Sequence, residues 1–220
     1  MQLFTSSISG IQPSCDAGER FNPFDDLVRD RDVRSASANR IDLPSLTPFQ
    51  RSLLTIDGTV TKYLESYALE PIEVVALRRE TQTLPARHSW LETPPETEVI
   101  AREVLLQGAR STTVYAYAVS LLVPSRLPPR LLGELEREPG GIGRVLLRCK
   151  IESRREVLWY GREHFSRLPS GIRAKTGDEF LSRCYTIIVA GLPVMLINER
   201  FPLALESPGS IESRRPEERP

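Results

Sequence analysis

The stretch VIAREVLLQGARSTTVYAYAVSLLVP, from Val99 to Pro124, decides the fold. Two of its runs, Val99–Gln107 and Thr112–Val123, are rich in Val, Leu, Tyr and Thr, the composition typical of β-strands. Gly108 lies between them, where a turn needs a conformationally permissive residue. The stretch therefore predicts an antiparallel β-hairpin at the centre of the chain.

Arg102 is the unusual residue of this hairpin. Side chains alternate between the two faces of a strand, so Arg102 shares a face with Ile100, Val104 and Leu106. A guanidinium stays charged at ordinary pH, and its burial is costly without an anionic partner. The partner is either a carboxylate of the protein or one of a ligand. The alternative is an arginine at the sheet margin whose head group reaches water.

Glu199 is a possible counterpart at the far end of the chain. The run LPVMLINERFP, Leu192–Pro202, reads as another strand and places Glu199 on the face of Met195, Ile197 and Phe201. An Arg and a Glu therefore point from two mostly apolar strand faces. They could form a structural ion pair, or they could flank a polar ligand that carries both donors and acceptors.

The length and composition of the chain predict a single domain, and its net charge is zero. With 220 residues, 40% of them hydrophobic, the chain can bury one sizeable core. Its 29 basic and 29 acidic residues cancel, so charge does not suggest a nucleic acid partner, and we expect a monomer. No apolar run approaches the roughly 20 residues of a membrane span. The first residues lack the features of a signal peptide, and we expect a cytoplasmic protein.

The reactive residue types are scarce and scattered. Three cysteines and two histidines form no CxxC pair and no supported metal or nucleophile motif. The phosphate-loop, dinucleotide, hydrolase and zinc-protease signatures GxxxxGK[ST], GxGxxG, GxSxG and HExxH do not occur. The sequence therefore predicts neither a metal nor an organic cofactor.

The order of elements predicts an α+β fold with a single domain, a sheet of about six antiparallel strands, and helices grouped on one side. We expect residues 1–42 to be a poorly ordered extension with a possible short helix at Phe24–Arg31, 43–204 to be the domain, and 205–220 to be a disordered tail. Besides the hairpin and Leu192–Pro202, the expected strands are Ile72–Arg79, Glu152–Gly161 and Phe180–Ala190. Helices are expected from Pro48, from Val60, near Pro129 and over Ile142–Cys149, and loops over Thr81–Glu98 and His164–Glu179.

Six segments, taken in this order, resemble the chorismate pyruvate-lyase (4-hydroxybenzoate synthetase) family. They are LTPFQRSLLTIDGTVTKYLE (46–65), REVLLQG (102–108), YAVSLLVPSRLP (117–128), GIGRVLL (141–147), SRREVLWYG (153–161) and LPVMLINERFP (192–202). The resemblance implies a compact antiparallel sheet with helical flaps over a buried ligand cavity. It also implies conversion of chorismate to 4-hydroxybenzoate and pyruvate without a cofactor, an early step of quinone biosynthesis.

The resemblance also implies the roles of five residues. Arg102 matches the arginine that binds the substrate's ring carboxylate, and Glu199 matches the buried acid that faces the ring hydroxyl; these two are the candidate catalytic residues. Val60 and Ile142 match flap residues near the ligand, and Arg155 matches an arginine of the fourth strand. The expected ligands are chorismate as substrate and 4-hydroxybenzoate as product.

The chemistry of this reaction suits the residues. Chorismate is a dianion, and the planar fork of an arginine binds both oxygens of a carboxylate. Aromatisation of the ring drives the reaction, so the protein need only orient the substrate and exclude water. A binding or sensing module for a small aromatic acid is the alternative. A structural domain in which Arg102 and Glu199 simply pair is a third possibility.

Overall fold

The computed structural model describes residues 41–137 and 141–205. Its strands are β1 (Ile72–Thr83), β2 (Glu98–Gly108), β3 (Val114–Leu122), β4 (Arg154–His164), β5 (Glu179–Val189) and β6 (Leu192–Pro202). Its α-helices are α1 (Pro48–Thr55), α2 (Val60–Ala68), α3 (Pro129–Arg137), α4 (Ile142–Arg148) and α5 (Ser170–Thr176), with short 3₁₀ helices at Leu43–Ser45 and Pro124–Arg126. In the described part of the chain, no helix is long and apolar enough to cross a membrane.

The six strands form one antiparallel sheet in the order β1-β2-β3-β6-β5-β4. The predicted α+β class and strand count are confirmed. The pairing of β3 with β6 is the long-range step, because it joins the central hairpin to the last strand of the chain. This pairing places β2, which carries Arg102, two strands away from β6, which carries Glu199.

The central hairpin turns as expected, and Glu70 holds its turn. The Glu70 carboxylate accepts hydrogen bonds from the backbone N–H groups of Arg110 and Ser111 at 2.9 and 3.0 Å. It also accepts one from the Ser111 hydroxyl at 2.5 Å. A side chain at Gly108 would collide with this carboxylate, which explains the glycine at that position. These bonds lower the pKa of Glu70, the one from the Ser111 hydroxyl most.

Two apolar clusters lie on one face of the sheet. The first joins α1 and α2 to the sheet through fully buried residues such as Leu53, Leu64 and Phe201. The second joins α3 and α4 to it through Leu131 and Val145, among others. The two helix pairs therefore cover the same face side by side, in agreement with the expectation that these helices group on one side of the sheet.

The expectation that all helices group on one side is wrong for α5. This helix lies within the segment predicted as a loop, His164–Glu179, and Ile172 and Leu168 pack against Tyr117 on the opposite face. The segment after β1 covers another part of that face through Leu84 and Leu91. Both faces of the sheet are thus covered, which explains why β5 is buried at every position after its first.

Element ends differ from the predictions by a few residues. β1 continues to Thr83 instead of ending at Arg79, because it pairs with β2 along its whole length. β4 likewise extends to His164. The possible helix at Phe24–Arg31 and nearly all of the two predicted terminal extensions lie outside the described residues.

The first turns of α2 and α4 pack closely against each other. A methyl group at Gly143 would lie 2.8 Å from the Thr59 side chain, which precedes α2. A methyl group at Gly141 would lie 3.0 Å from the Thr61 hydroxyl. The two helices therefore meet through glycines, and a larger residue would force them apart. We call the segments Gly58–Thr61 and Gly141–Gly143 the helical cover.

Substitution of Gly143 tests this contact, with Gly133 in α3 as a matched control. No atom lies within 4 Å of a methyl group placed at Gly133. Gly133→Ala should therefore raise the free energy of unfolding by about 0.5–1 kcal/mol through helix propensity. Gly143→Ala should lower it by about 1–3 kcal/mol, because the added methyl overlaps Thr59. Urea denaturation measures both values, and equal stabilisation by the two changes would contradict the close contact.

Candidate active site

A cavity lies between the helical cover and the sheet, at the junction of the two apolar clusters. About 570 Å³ of space free of protein atoms, the mouth included, lies there. All six strands contribute residues to the side of the cavity formed by the sheet. Its lining residues are Gly58, Thr59, Val60, Thr61, Val74, Arg102, Val104, Leu106, Ala118, Ser120, Gly141, Ile142, Gly143, Arg155, Tyr185, Ile187, Ile197 and Glu199. All five residues predicted for the site are among them.

Arg102 lies on β2 with only 6% of its surface exposed. Ser120 on β3 is directly across from it on one side, and Arg79 on β1 on the other. Burial lowers the pKa of Arg102, and the charge of Arg79 lowers it further. Burial and the neighbouring charge of Arg79 both disfavour the charged form of the guanidinium. A bound anion would offset both effects.

Glu199 on β6 is buried, and both of its carboxylate oxygens accept hydrogen bonds from β5. Arg183 Nε donates to Oε2 at 2.8 Å, and the Tyr185 hydroxyl donates to Oε1 at 3.1 Å. The side chains of Arg183 and Glu199 are 1% and 8% exposed. The internal ion pair considered from the sequence therefore exists for Glu199, but its cation is Arg183, and a cavity accompanies it.

Arg155 reaches the cavity from β4, the strand at the far edge of the sheet from β1. Its side chain is 13% exposed, and Nη1 lies 3.8 Å from the exposed carboxylate of Asp57. Its Nε is buried and has no hydrogen-bond partner in the described part of the protein. A buried donor of this kind is costly, and an anion in the cavity would satisfy it.

Val60 and Ile142 are the first residues of α2 and α4 and face the cavity from the helical cover. Val60 is 5% exposed and belongs to the α1–α2 cluster, whereas Ile142 packs against the α3–α4 cluster. The helix starts place apolar side chains over the charged groups of the sheet. Apolar side chains in this position lower the local dielectric, which strengthens electrostatic interactions inside the cavity.

The charges in and beside the cavity favour an anionic ligand. Two guanidinium groups, of Arg102 and Arg155, line it directly. Glu199, the one carboxylate among the lining residues that the structure describes, is already paired with Arg183. The N-terminus of α2, at Val60, adds the positive end of a helix dipole. Among the described lining residues there is no Cys, His or Lys, so the site suits orientation and charge stabilisation better than covalent catalysis.

Arg183 and Tyr185 are not among the residues predicted for the site from the sequence. The alternation that drew attention to Arg102 applies equally to β5, where Arg183 shares a face with Leu181, Tyr185 and Ile187. The sequence therefore contains the signal that marks Arg183 as a charge on an apolar strand face. Alternation along β5 does not identify Glu199 as the partner of Arg183, because the two residues meet only through the register of β5 with β6.

Comparisons with known proteins bear on the family. Residues 54–208 match the family described as "Chorismate pyruvate-lyase Rv2949c-like". The "Chorismate pyruvate-lyase" of Mycobacterium leprae (strain TN) is 27% identical over 176 residues, covering 77% of this chain and 81% of that protein. The protein of the same name from Mycobacterium tuberculosis (strain ATCC 25618 / H37Rv) is 24% identical over 160 residues, covering 69% and 78%.

A solved transcriptional regulator of the GntR family from Bacillus cereus is also similar, with 8% sequence identity and a TM-score of 0.41. The similarity covers 60% of this chain and 91% of that one, and its score is too low to bear on fold or function. The family match, in contrast, covers well over half of the sequence. The chain therefore belongs to the Rv2949c-like chorismate pyruvate-lyase family.

Proposed function

We propose that the protein converts chorismate to 4-hydroxybenzoate and pyruvate. The bond between ring carbon 3 and the enolpyruvyl oxygen breaks, carbon 4 loses its hydrogen as a proton, and the released enolpyruvate takes up a proton to become pyruvate. Gain of aromaticity drives the reaction. The observation that carries the proposal is the cavity itself, which Arg102, Glu199 and Arg155 line from one face of the sheet, opposite Val60 and Ile142 of the helical cover.

Arg102 binds the ring carboxylate in this proposal. Its planar fork can donate to both carboxylate oxygens, and Ser120 across the β2–β3 pair adds a hydroxyl at the cavity wall. Its burial supports the role, because a charge-assisted hydrogen bond in a dry site contributes roughly 1.5–3 kcal/mol. The ring carboxylate is common to substrate and product, so Arg102 contributes to the binding of both.

Glu199 binds the ring hydroxyl, which lies opposite the ring carboxylate in chorismate. β6 is two strands from β2, a separation of about 10 Å in a sheet with strands some 4.8 Å apart. Two long side chains reaching inward from these strands can span a six-membered ring with its substituents. Glu199 then fixes the end of the ring where the carbon–hydrogen bond breaks.

Arg155 binds the carboxylate of the enolpyruvyl group. This group is attached next to the ring hydroxyl, and β4 lies beyond β6 and β5 in the sheet. The order of the side chains across the sheet is thus the order of the polar groups on the substrate. The buried, unpaired Nε of Arg155 supports a role for it in binding an anion.

The helical cover completes the site. Val60 and Ile142 lie over the ring and exclude water, which suits an elimination that needs orientation and no external co-reactant. We propose in addition that the enzyme works without metal or organic cofactor, as a cytoplasmic monomer. Its product is a phenolic acid of the kind used early in quinone biosynthesis.

The first test is turnover by metal-stripped protein. With chorismate, equal amounts of pyruvate and 4-hydroxybenzoate should form. Arg102→Met should lower kcat/KM by about 10- to 150-fold through loss of the charge-assisted contact. Arg162→Met, which removes an arginine that is half exposed on β4, should have no effect on turnover. Binding of 4-hydroxybenzoate without turnover would instead favour the alternative, a module that binds or senses a small aromatic acid.

Arg155→Met should weaken the binding of the substrate much more than the binding of the product. The affinity for chorismate, which has two carboxylates, should fall by about tenfold or more, and the affinity for 4-hydroxybenzoate should change little. The reason is that the product lacks the carboxylate assigned to Arg155. Calorimetric titration with 4-hydroxybenzoate, together with KM for chorismate, makes the comparison. An equal loss for both ligands would remove this assignment.

A further inference from the structure

Arg183 has the most deeply buried charge in the described part of the protein. It lies on β5 directly across from Glu199 on β6, and its side chain is 1% exposed. Burial works against its charged form, but the interactions with the Glu199 carboxylate and with Tyr185 together outweigh this effect and raise the pKa of Arg183. The guanidinium is therefore a permanent cation behind the cavity wall.

This guanidinium also bonds the segment that closes the cavity. Arg183 Nη1 donates to the carbonyl oxygen of Ile56 at 2.8 Å. Ile56 is the C-cap residue that follows α1, and the cover segment Gly58–Thr61 begins two residues later. The Nε of the same guanidinium donates to Glu199. One rigid, planar group thus joins the carboxylate in the cavity to the start of its cover.

The hydrogen bonds to Glu199 define what the carboxylate can still bind. An ionised carboxylate accepts hydrogen bonds and donates none, and its two oxygens offer about four acceptor positions. Two of these positions are taken by Arg183 and Tyr185. Burial, with the nearby Glu199 charge, raises the pKa of Tyr185, so its hydroxyl keeps the proton that it donates. A ligand group that joins this arrangement must therefore be a donor.

We propose that Arg183 is a positioning residue that acts through Glu199 and Ile56. It holds the Glu199 carboxylate as an acceptor for a hydrogen-bond donor on the ring, opposite the ring carboxylate, and it links this carboxylate to the α1–α2 turn. Selection of a ring that carries a donor and retention of that ring beneath the cover therefore depend on one side chain. The inference rests on the proposed function and extends it to ligand selection.

A purely structural ion pair is the competing explanation. Such a pair contributes to folding specificity or stability, and replacement of one partner destabilises the protein whatever ligand is present. It predicts no change in the choice between two ligands of similar size. The comparison of ligands therefore distinguishes the two explanations where a stability measurement cannot.

The experiment compares the binding of 4-hydroxybenzoate and 4-fluorobenzoate. Only 4-hydroxybenzoate carries a hydrogen-bond donor at ring carbon 4, opposite the carboxylate. The wild-type protein should prefer 4-hydroxybenzoate by about tenfold or more. Arg183→Met should reduce this preference severalfold, because the carboxylate loses the cation that orients it. It should also speed dissociation of 4-hydroxybenzoate, measured by stopped-flow displacement. An undiminished preference in Arg183→Met would overturn the proposal.

Arg126→Met is the matched control. Arg126 donates to the backbone carbonyls of Leu91, Pro193 and Glu92 and does not line the cavity, so its loss should destabilise the fold. It should leave both the ligand preference and the dissociation rate at wild-type values. A change in preference as large as that of Arg183→Met would mean that general loosening explains the effect, and would overturn the proposal.

Arg183→Lys decides the matter if Arg183→Met does not fold. The lysine keeps a positive charge beside Glu199 but lacks the planar fork that bonds both Glu199 and Ile56. The preference should survive and dissociation should become faster; a wild-type dissociation rate would overturn the link to the cover. Failure of the proposed function would give a different result, because no pyruvate would form from chorismate. The comparison of the affinities for 4-hydroxybenzoate and 4-fluorobenzoate still tests the role of Arg183 in that case.

Discussion

The buried ion pair between Arg183 and Glu199 is the interaction on which the cavity depends. Removing two charges from water costs several kcal/mol for each ion, and close hydrogen bonds must offset that cost. Here they come from three directions: the partner strand, the Tyr185 hydroxyl and the carbonyl of Ile56 at the end of α1. The pair therefore ties together two strands and the helix that leads into the cover. Apolar packing alone, which is not directional, would not fix the positions of β5, β6 and the end of α1 relative to one another in this way.

The charges of the side chains that line the cavity bear on what it can hold. Arg102 and Arg155 line it and Glu199 is already neutralised, so the interior favours an anion. Apolar residues of the cover lower the local dielectric and make each charge more effective than it would be in water. A reaction driven by aromatisation needs little more than this: fixed orientation, matched charges and the exclusion of water.

The sheet and two of the candidate site residues were predicted from local periodicity, whereas Val60, Ile142 and Arg155 were named from the family resemblance. The alternation of β2 and β6 marked Arg102 and Glu199 as charges on apolar faces, and both line the cavity. The same rule applied to β5 would have marked Arg183. The helix α5 was missed, because seven residues rich in polar side chains carry little helical periodicity, and packing against Tyr117 and Phe180 supports it in the fold.

Sequence alone determined which side chains share a face, where the strands run, and which family the segments resemble, since these depend on neighbours along the chain. Tertiary structure decided which arginine neutralises Glu199, because Arg183 reaches it through the register of β5 with β6. It also decided that the first turns of α2 and α4 meet at Gly143 and Thr59 above the sheet. Periodicity along a strand assigns a face, whereas a contact between distant segments depends on strand order and register, which only the packed chain sets.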